Sequence, residues 1–308
     1  MIYRCVFLVF GFLISAQALS QKISPTQQKT TFWVPSDTLN RERFYWTTGV
    51  VGGGLAISLG VLYGTWYSDY NSGGFHFHDD NSNWEGMDKL GHSMTAYTMA
   101  NYGYDLLHWT GLKENQAVWY GGMVGFTYLG IVEIMDGFSD GWGFSMGDLA
   151  ANTAGTALFI GQQLGWKEQR MRLKYSYSPT SYASINPELL GKGGAESALK
   201  DYNGQTYWLS VNPGTFAPSN SWWPTWLSIA GGYGATGMVG ATSNPPEYAH
   251  VPREQQWYLS LDLDLSRVET GSDFWNTVLH SVNWIKIPAP TLEYRPATGF
   301  MKGHWFMF

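Results

Sequence analysis

The residues best suited to chemistry fall in three short stretches: Asp88-Lys89-Leu90-Gly91-His92, Glu133-Ile134-Met135-Asp136-Gly137 and Gly147-Asp148-Leu149-Ala150-Ala151-Asn152. Asp88 and His92 stand four apart and Glu133 and Asp136 three apart, so each pair shares a helix face. Asp148, Asn152 and Gly155 recur on one face in the same way. Four carboxylates gathered in an apolar surround cannot all stay ionised, so some must be paired, protonated or metal-bound. Lys89 and His92 are the candidate partners. His92, Glu133, Asp136 and Asp148 offer ligand types suited to a divalent metal such as Zn, Mn or Mg. His92 could equally act as a general base or nucleophile, oriented by Glu133 or Asp136. The same residues also read as a structural network, with Asp88 and Asp148 capping their helices and the others holding three helices in register.

Helices must position these groups. Phe44 to Ser68 runs 25 residues without a charge, and Asn115 to Val132 and Leu149 to Trp166 run 18 each. Met87 to Trp109 is apolar but carries His92, Asp105 and His108. Four such segments on short connections predict an up-and-down bundle. Alternating direction then brings the start of the second helix, the end of the third and the start of the fourth to one end. The Gly74–Asp80 loop, with His76, His78, Asp79 and Asp80, emerges there too and reads as an exposed loop or a second metal site. Gly121, Gly125 and Gly130, then Gly155, Gly161 and Gly165, lie on or near the small-residue spacings of close helix contacts.

After Trp166 the pattern changes to alternation. Residues 172–177, 205–211, 256–266 and 291–295 read as strands, and residues 258–265 place leucines on one face only. Residues 273–285 read as a short helix. About six strands are expected, fewer than the eight of the smallest membrane barrels, so a free-standing barrel is not expected. The fold class is α+β: a signal peptide over 1–20, a lead-in over 21–42, a four-helix membrane-associated bundle over 43–168, and a strand-rich region over 169–308.

Composition restricts the setting of this fold. Of 308 residues, 14% are charged, against roughly 25% in ordinary soluble proteins. Aromatics reach 17%, including 16 Trp and 19 Tyr. A net charge of −6 leaves no basic footprint for nucleic acid. Arg4, the apolar Cys5–Ile14 run and Ala16-Gln17-Ala18 form a cleavable export signal. Cys5 is the only cysteine and lies inside that signal. This excludes disulfides and thiolate catalysis from the mature chain and argues against lipidation. Neither the 69–87 nor the 137–147 connection contains Lys or Arg. Insertion of the four helices in the inner membrane would invert the usual charge bias, so a periplasmic or outer-membrane-associated placement is favoured. Trp222, Trp223 and Trp226 suit a lipid interface or a packed core. The expected partners are membrane lipid or envelope proteins.

Asp88-Lys89-x-x-His92, Glu133-x-x-Asp136, Gly141-Trp142-Gly143-Phe144-Ser145 and Asp148-x-x-x-Asn152-x-x-Gly155 resemble the YfiM-like family, an uncharacterised domain of predicted periplasmic lipoproteins. The resemblance covers about residues 85–166. The later Lys200–Ser210, Gly232-Tyr233-Gly234 and Ile287-Pro288-Ala289-Pro290 segments resemble its long Bacteroidota-type form. A more distant similarity to VanZ-like membrane proteins lies in the Asp-Lys-x-x-His start, the later Glu and the final Asp-x-x-x-Asn-x-x-Gly. Asp136 stands where that pattern has Gln, and no Arg occurs between 133 and 152. The resemblances imply that Asp88, His92, Glu133, Asp136, Asp148 and Asn152 belong together, and they supply no reaction. There is no Walker loop, Gly-x-Ser-x-Gly elbow or dinucleotide fingerprint. The sequence therefore predicts an envelope protein with a structural or assembly role. The alternative is an envelope hydrolase or transferase, with or without a divalent metal, acting on a lipid-linked or cell-wall substrate.

Overall fold

A computed structural model describes residues 32–68, 74–218 and 222–307. Residues 1–20, where an export signal is expected, and Phe308 lie outside the described residues. The fold is α+β and divides into two compact units. The helical unit comprises residues 32–80 and 95–167, and the sheet unit residues 81–94 and 168–307.

In the helical unit, α1 (Arg41–Leu62) starts at Asn40, whose side chain accepts the Arg43 N–H, and ends in a π-helical turn over Tyr63–Tyr67. Helix α2 (Met87–Trp109) begins in the sheet unit and contributes its later turns here. The expected single third helix is two: α3 (Glu114–Gly122) and α4 (Val124–Gly137), separated at Met123. The break follows Gly121-Gly122, where helix propensity is lowest. Helix α5 (Met146–Trp166) ends at Lys167 in the left-handed conformation, with φ of 57°.

Not all the glycines serve packing. A Cβ on Gly121 would overlap the backbone of Gly103 and Tyr104, and one on Gly125 would press on the backbone of Ala96. At these points α3 and α4 cross α2 backbone to backbone. Gly130, Gly161 and Gly165 face open space. The core between the helices gathers Ala96, Tyr97, Val118, Leu129, Val132 and Phe159. The outward surfaces stay apolar, with Tyr45, Trp46, Ile57, Tyr120 and Ile134 exposed. By length and composition, α1 and the Glu114–Gly137 stretch could each cross a membrane.

The sheet unit is an antiparallel meander of β1 (Met171–Tyr177), β2 (Gln205–Val211), β3 (Leu227–Thr236), β4 (Glu254–Leu263), β5 (Ala289–Arg295) and β6 (Phe300–Met307), in that spatial order. The helix expected over 273–285 is α6 (Asp273–Ser281). β3 was not among the segments read as strands. Its Gly231, Gly232 and Gly234 weaken strand propensity, but Gly232 is required where β3 passes over the Trp208 ring, since a Cβ there would strike that ring.

Strand register builds transverse rows. Tyr175, Tyr207, Tyr233, Trp257 and Tyr294 stand opposite one another across five strands. The next row on the same face is Leu173, Leu209, Gly231, Leu259 and Leu292. The other face is polar and buried, with Lys174, Ser210, Ser228, Ser260, Asp262 and Glu293. The leucines predicted to share one face of β4 do so, and that face is the exposed one: Leu259 is 56% and Leu261 43% exposed, whereas Ser260 is 4% and Asp262 1%.

Candidate functional site

Four of the sequence-predicted residues lie in the helical unit, all buried: Glu133, Asp136, Asp148 and Asn152. Glu133 Oε2 accepts the Ser145 N–H at 3.2 Å, tying the last turns of α4 to the start of α5. Ser145 is the cap of α5, since its Oγ accepts the Asp148 N–H at 3.1 Å. The capping role considered for Asp148 thus falls to Ser145, and Asp148 lies in the first turn, where a negative charge is favoured by the helix dipole. Ser145 Oγ also donates to Asp80 Oδ1 at 2.6 Å. Asp136 Oδ1 accepts the Tyr67 hydroxyl at 2.6 Å, and the Tyr67 ring meets Trp142 edge to face.

The Gly74–Asp80 loop is part of this assembly. His76 N–H donates to the Gly137 carbonyl at 2.9 Å, Phe144 N–H to the His76 carbonyl at 2.9 Å, and His78 N–H to the Phe144 carbonyl at 3.0 Å. His76 Nε2 lies 2.7 Å from the Trp142 carbonyl. Only a protonated nitrogen can donate there, so this ring nitrogen carries hydrogen. The loop is pinned by backbone pairing, and a Cβ at Gly143 would strike His78. Tyr67 was not singled out in the sequence, and Ser145 entered only as the last residue of the Gly141–Ser145 motif, with no role attached. An Oγ three residues before Asp148 at a helix start was the available signal for Ser145; Tyr67 had none.

Asp88 and His92 lie in the sheet unit. Asp88 Oδ1 accepts the Tyr202 hydroxyl at 2.7 Å, and its Oδ2 is 3.3 Å from Lys89 Nζ. His92 is buried one turn further along. The approach to α2 is strained. Trp84 and Glu85 both adopt positive φ, 54° and 53°, a conformation costing about 1–3 kcal/mol per residue outside glycine. Several contacts hold it: the Tyr233 hydroxyl donates to the Glu85 carbonyl at 2.6 Å, Arg253 Nε reaches Glu85 Oε1 at 2.9 Å, and the Trp84 ring lies against Tyr202.

A second polar centre lies inside the sheet and was missed. Lys174 Nζ contacts Asp262 Oδ2 at 2.7 Å and donates to the Leu263 carbonyl and Asn283 Oδ1. Lys286 Nζ donates to the Leu261 and Ile287 carbonyls, sits over the Trp208 ring and stands 3.8 Å from Asp262 Oδ1. Ser210 Oγ donates to Asp262 Oδ2 at 2.6 Å. Burial pushes the Lys286 ammonium down to about 8, against the opposing pull of Asp262. Burial also lowers Lys174. At Asp264 burial acts upward but is outweighed by Arg172, Ser266, Lys174 and Asn283, leaving the carboxyl at about 2. The lysines gave no signal because the sequence does not say which face of an alternating strand is inside.

No curated protein and no solved structure matches the chain. A family model described as predicted periplasmic lipoprotein (DUF2279) matches residues 73–161, which carry all six predicted site residues from Asp88 to Asn152, and its description supports a periplasmic or envelope location.

Proposed function

We propose that the chain is a membrane-associated envelope protein in which Glu133, Asp136, Asp148 and Asn152 act as a polar clamp within the helical unit, and Asp88 and His92 hold the start of α2 within the sheet unit, each with a structural or assembly role. The observation that carries the reading is how the helical unit uses its carboxylates. Glu133 and Asp136 are spent on Ser145 and Tyr67, groups that join α4 to the start of α5 and to the turn after α1. A carboxylate committed to protein donors holds backbone in place and is poorly disposed to accept a substrate proton. In the sheet unit Asp88 is used in the same way, accepting the Tyr202 hydroxyl at 2.7 Å. The apolar outer surfaces of α1 and α4 support membrane association.

The test is a thermal melt of the purified full chain beside Glu133→Gln and His92→Ala, with and without chelator, together with elemental analysis. A clamp predicts a lower melting temperature for both variants, no stoichiometric metal and no response to chelation. One metal per chain, lost in His92→Ala, would replace the clamp with a metal-dependent site.

A further inference from the structure

The sheet is built inside out. A sheet in water buries its apolar face and solvates its polar one. Here the buried face carries Lys174, Asp262, Lys286 and Glu293, each with hydrogen-bonding partners. The same face carries an apolar cluster of Trp208, Ala230 and Tyr258, with Met307 packed against it. The exposed face carries the aliphatic residues, and from the aromatic row to the far end of the strands its outward positions hold no charged residue.

This face is also layered. Tyr233, Trp257 and Tyr294 form one end. Leu209, Ile229, Leu259, Leu261 and Leu292, each about 40–55% exposed, form the middle. The β2–β3 connection at the opposite end carries Phe216, Trp222 and Trp226, with Trp222 86% exposed. Aliphatic rows between two aromatic ends, over a polar interior, are the arrangement of a lipid-facing β-surface, with aromatics at headgroup level. A protein-docking patch is bounded by a polar, charged rim, whereas these outward rows run uncharged from the aromatic row to the far end of the strands.

We propose that the outward face of β2–β5 is a lipid-docking surface that lies flat on one bilayer leaflet, its outward side chains reaching the acyl chains while the strand backbones and both sheet edges stay at headgroup level. The distance from Trp257 to Leu263 along β4 is about 20 Å at about 3.4 Å per residue, short of the ~30 Å hydrocarbon core. The sheet is open, with β1 and β6 at its edges. Open edges cannot cross hydrocarbon, so the face docks and does not span. The inference rests on the envelope location and not on the role of the polar clamp.

The experiment places an environment-sensitive NBD label on Leu259→Cys, Ser260→Cys or Gln255→Cys, each in a Cys5→Ser full-length background. The probe is vesicles of phosphatidylethanolamine and phosphatidylglycerol, some with brominated acyl chains. The expected result is a several-fold emission rise at 259 on vesicle addition, quenched by brominated chains. Label at 255, beyond the aromatic row, should change little, and 260 should not respond to bromine. A chain that ignores the vesicles, or binds them while 259 stays water-like, overturns the proposal. So does a 259 label already shielded in vesicle-free buffer by a second copy. Glu133→Gln in the Leu259→Cys background should melt earlier yet keep the emission rise, so failure of the clamp and failure of the docking face are read separately.

Discussion

The Tyr67 hydroxyl donates to Asp136 Oδ1 at 2.6 Å across 69 residues of chain, both side chains buried. This bond joins the turn after α1 to the last turn of α4, and it gives a buried carboxylate a donor it would lose to no solvent. Hydrogen bonds to charged groups are worth about 1.5–3 kcal/mol. Tyr67→Phe keeps the ring against Trp142 and removes only the donor. It should lower unfolding free energy by about 2 kcal/mol, read as a shift in denaturant midpoint at constant slope. A change under ~0.5 kcal/mol would show that Asp136 is sufficiently held without Tyr67.

The glycines divide by what stands opposite them. Gly121→Ala drives a methyl into the backbone of Gly103 and Tyr104; backbone cannot rotate away, so α2 and α3 must separate, at a cost of about 1–3 kcal/mol or more. Gly130→Ala meets nothing within 4 Å and gains helix propensity of about 1 kcal/mol. The two variants should move melting temperature in opposite directions. Equal effects would remove the distinction between packed and unpacked glycines.

The helices were legible because uncharged runs of 18 or more residues dominate local statistics, and their boundaries fell within a few residues of α1, α2 and α5. Met123 was not, since a one-residue interruption leaves hydropathy unchanged. Of the site, the buried state of Glu133, Asp136, Asp148 and Asn152 agrees with the reading of a polar group among apolar helices. Their donors did not follow, because Tyr67 and Ser145 come from segments whose approach depends on tertiary packing. The alternation in β4 was visible, but parity alone leaves inside and outside undecided. The ordinary assumption that leucines face inward is reversed here, which hid Lys174 and Asp262.

The buried Lys174–Asp262–Lys286 group sets one carboxylate against two ammonium groups, and its charge state has a stability signature. Burial lowers Lys286 to about 8 in the folded chain, while an unfolded lysine titrates near 10.4. Below pH 8 both states are protonated and the fold bears the whole cost of burying the charge. Between about 8 and 10.4 the unfolded chain binds more protons, so stability rises with pH through that window. Burial lowers Lys174 in the same direction. The tyrosines act oppositely: burial raises Tyr202 and Tyr207, so above pH 10 ionisation of unfolded tyrosine pulls stability down. Denaturant unfolding at pH 7.5, 8.5 and 9.5 should therefore show wild type gaining on Lys286→Met as pH rises. Asp262→Asn leaves Lys286 buried without its counter-charge and Lys174 with Asp264 alone, and should lose about 3–5 kcal/mol at pH 7.5. Because both lysines can then relieve the cost by losing a proton, that deficit should shrink by pH 9.5. A deficit independent of pH would mean that Lys174 and Lys286 reach water.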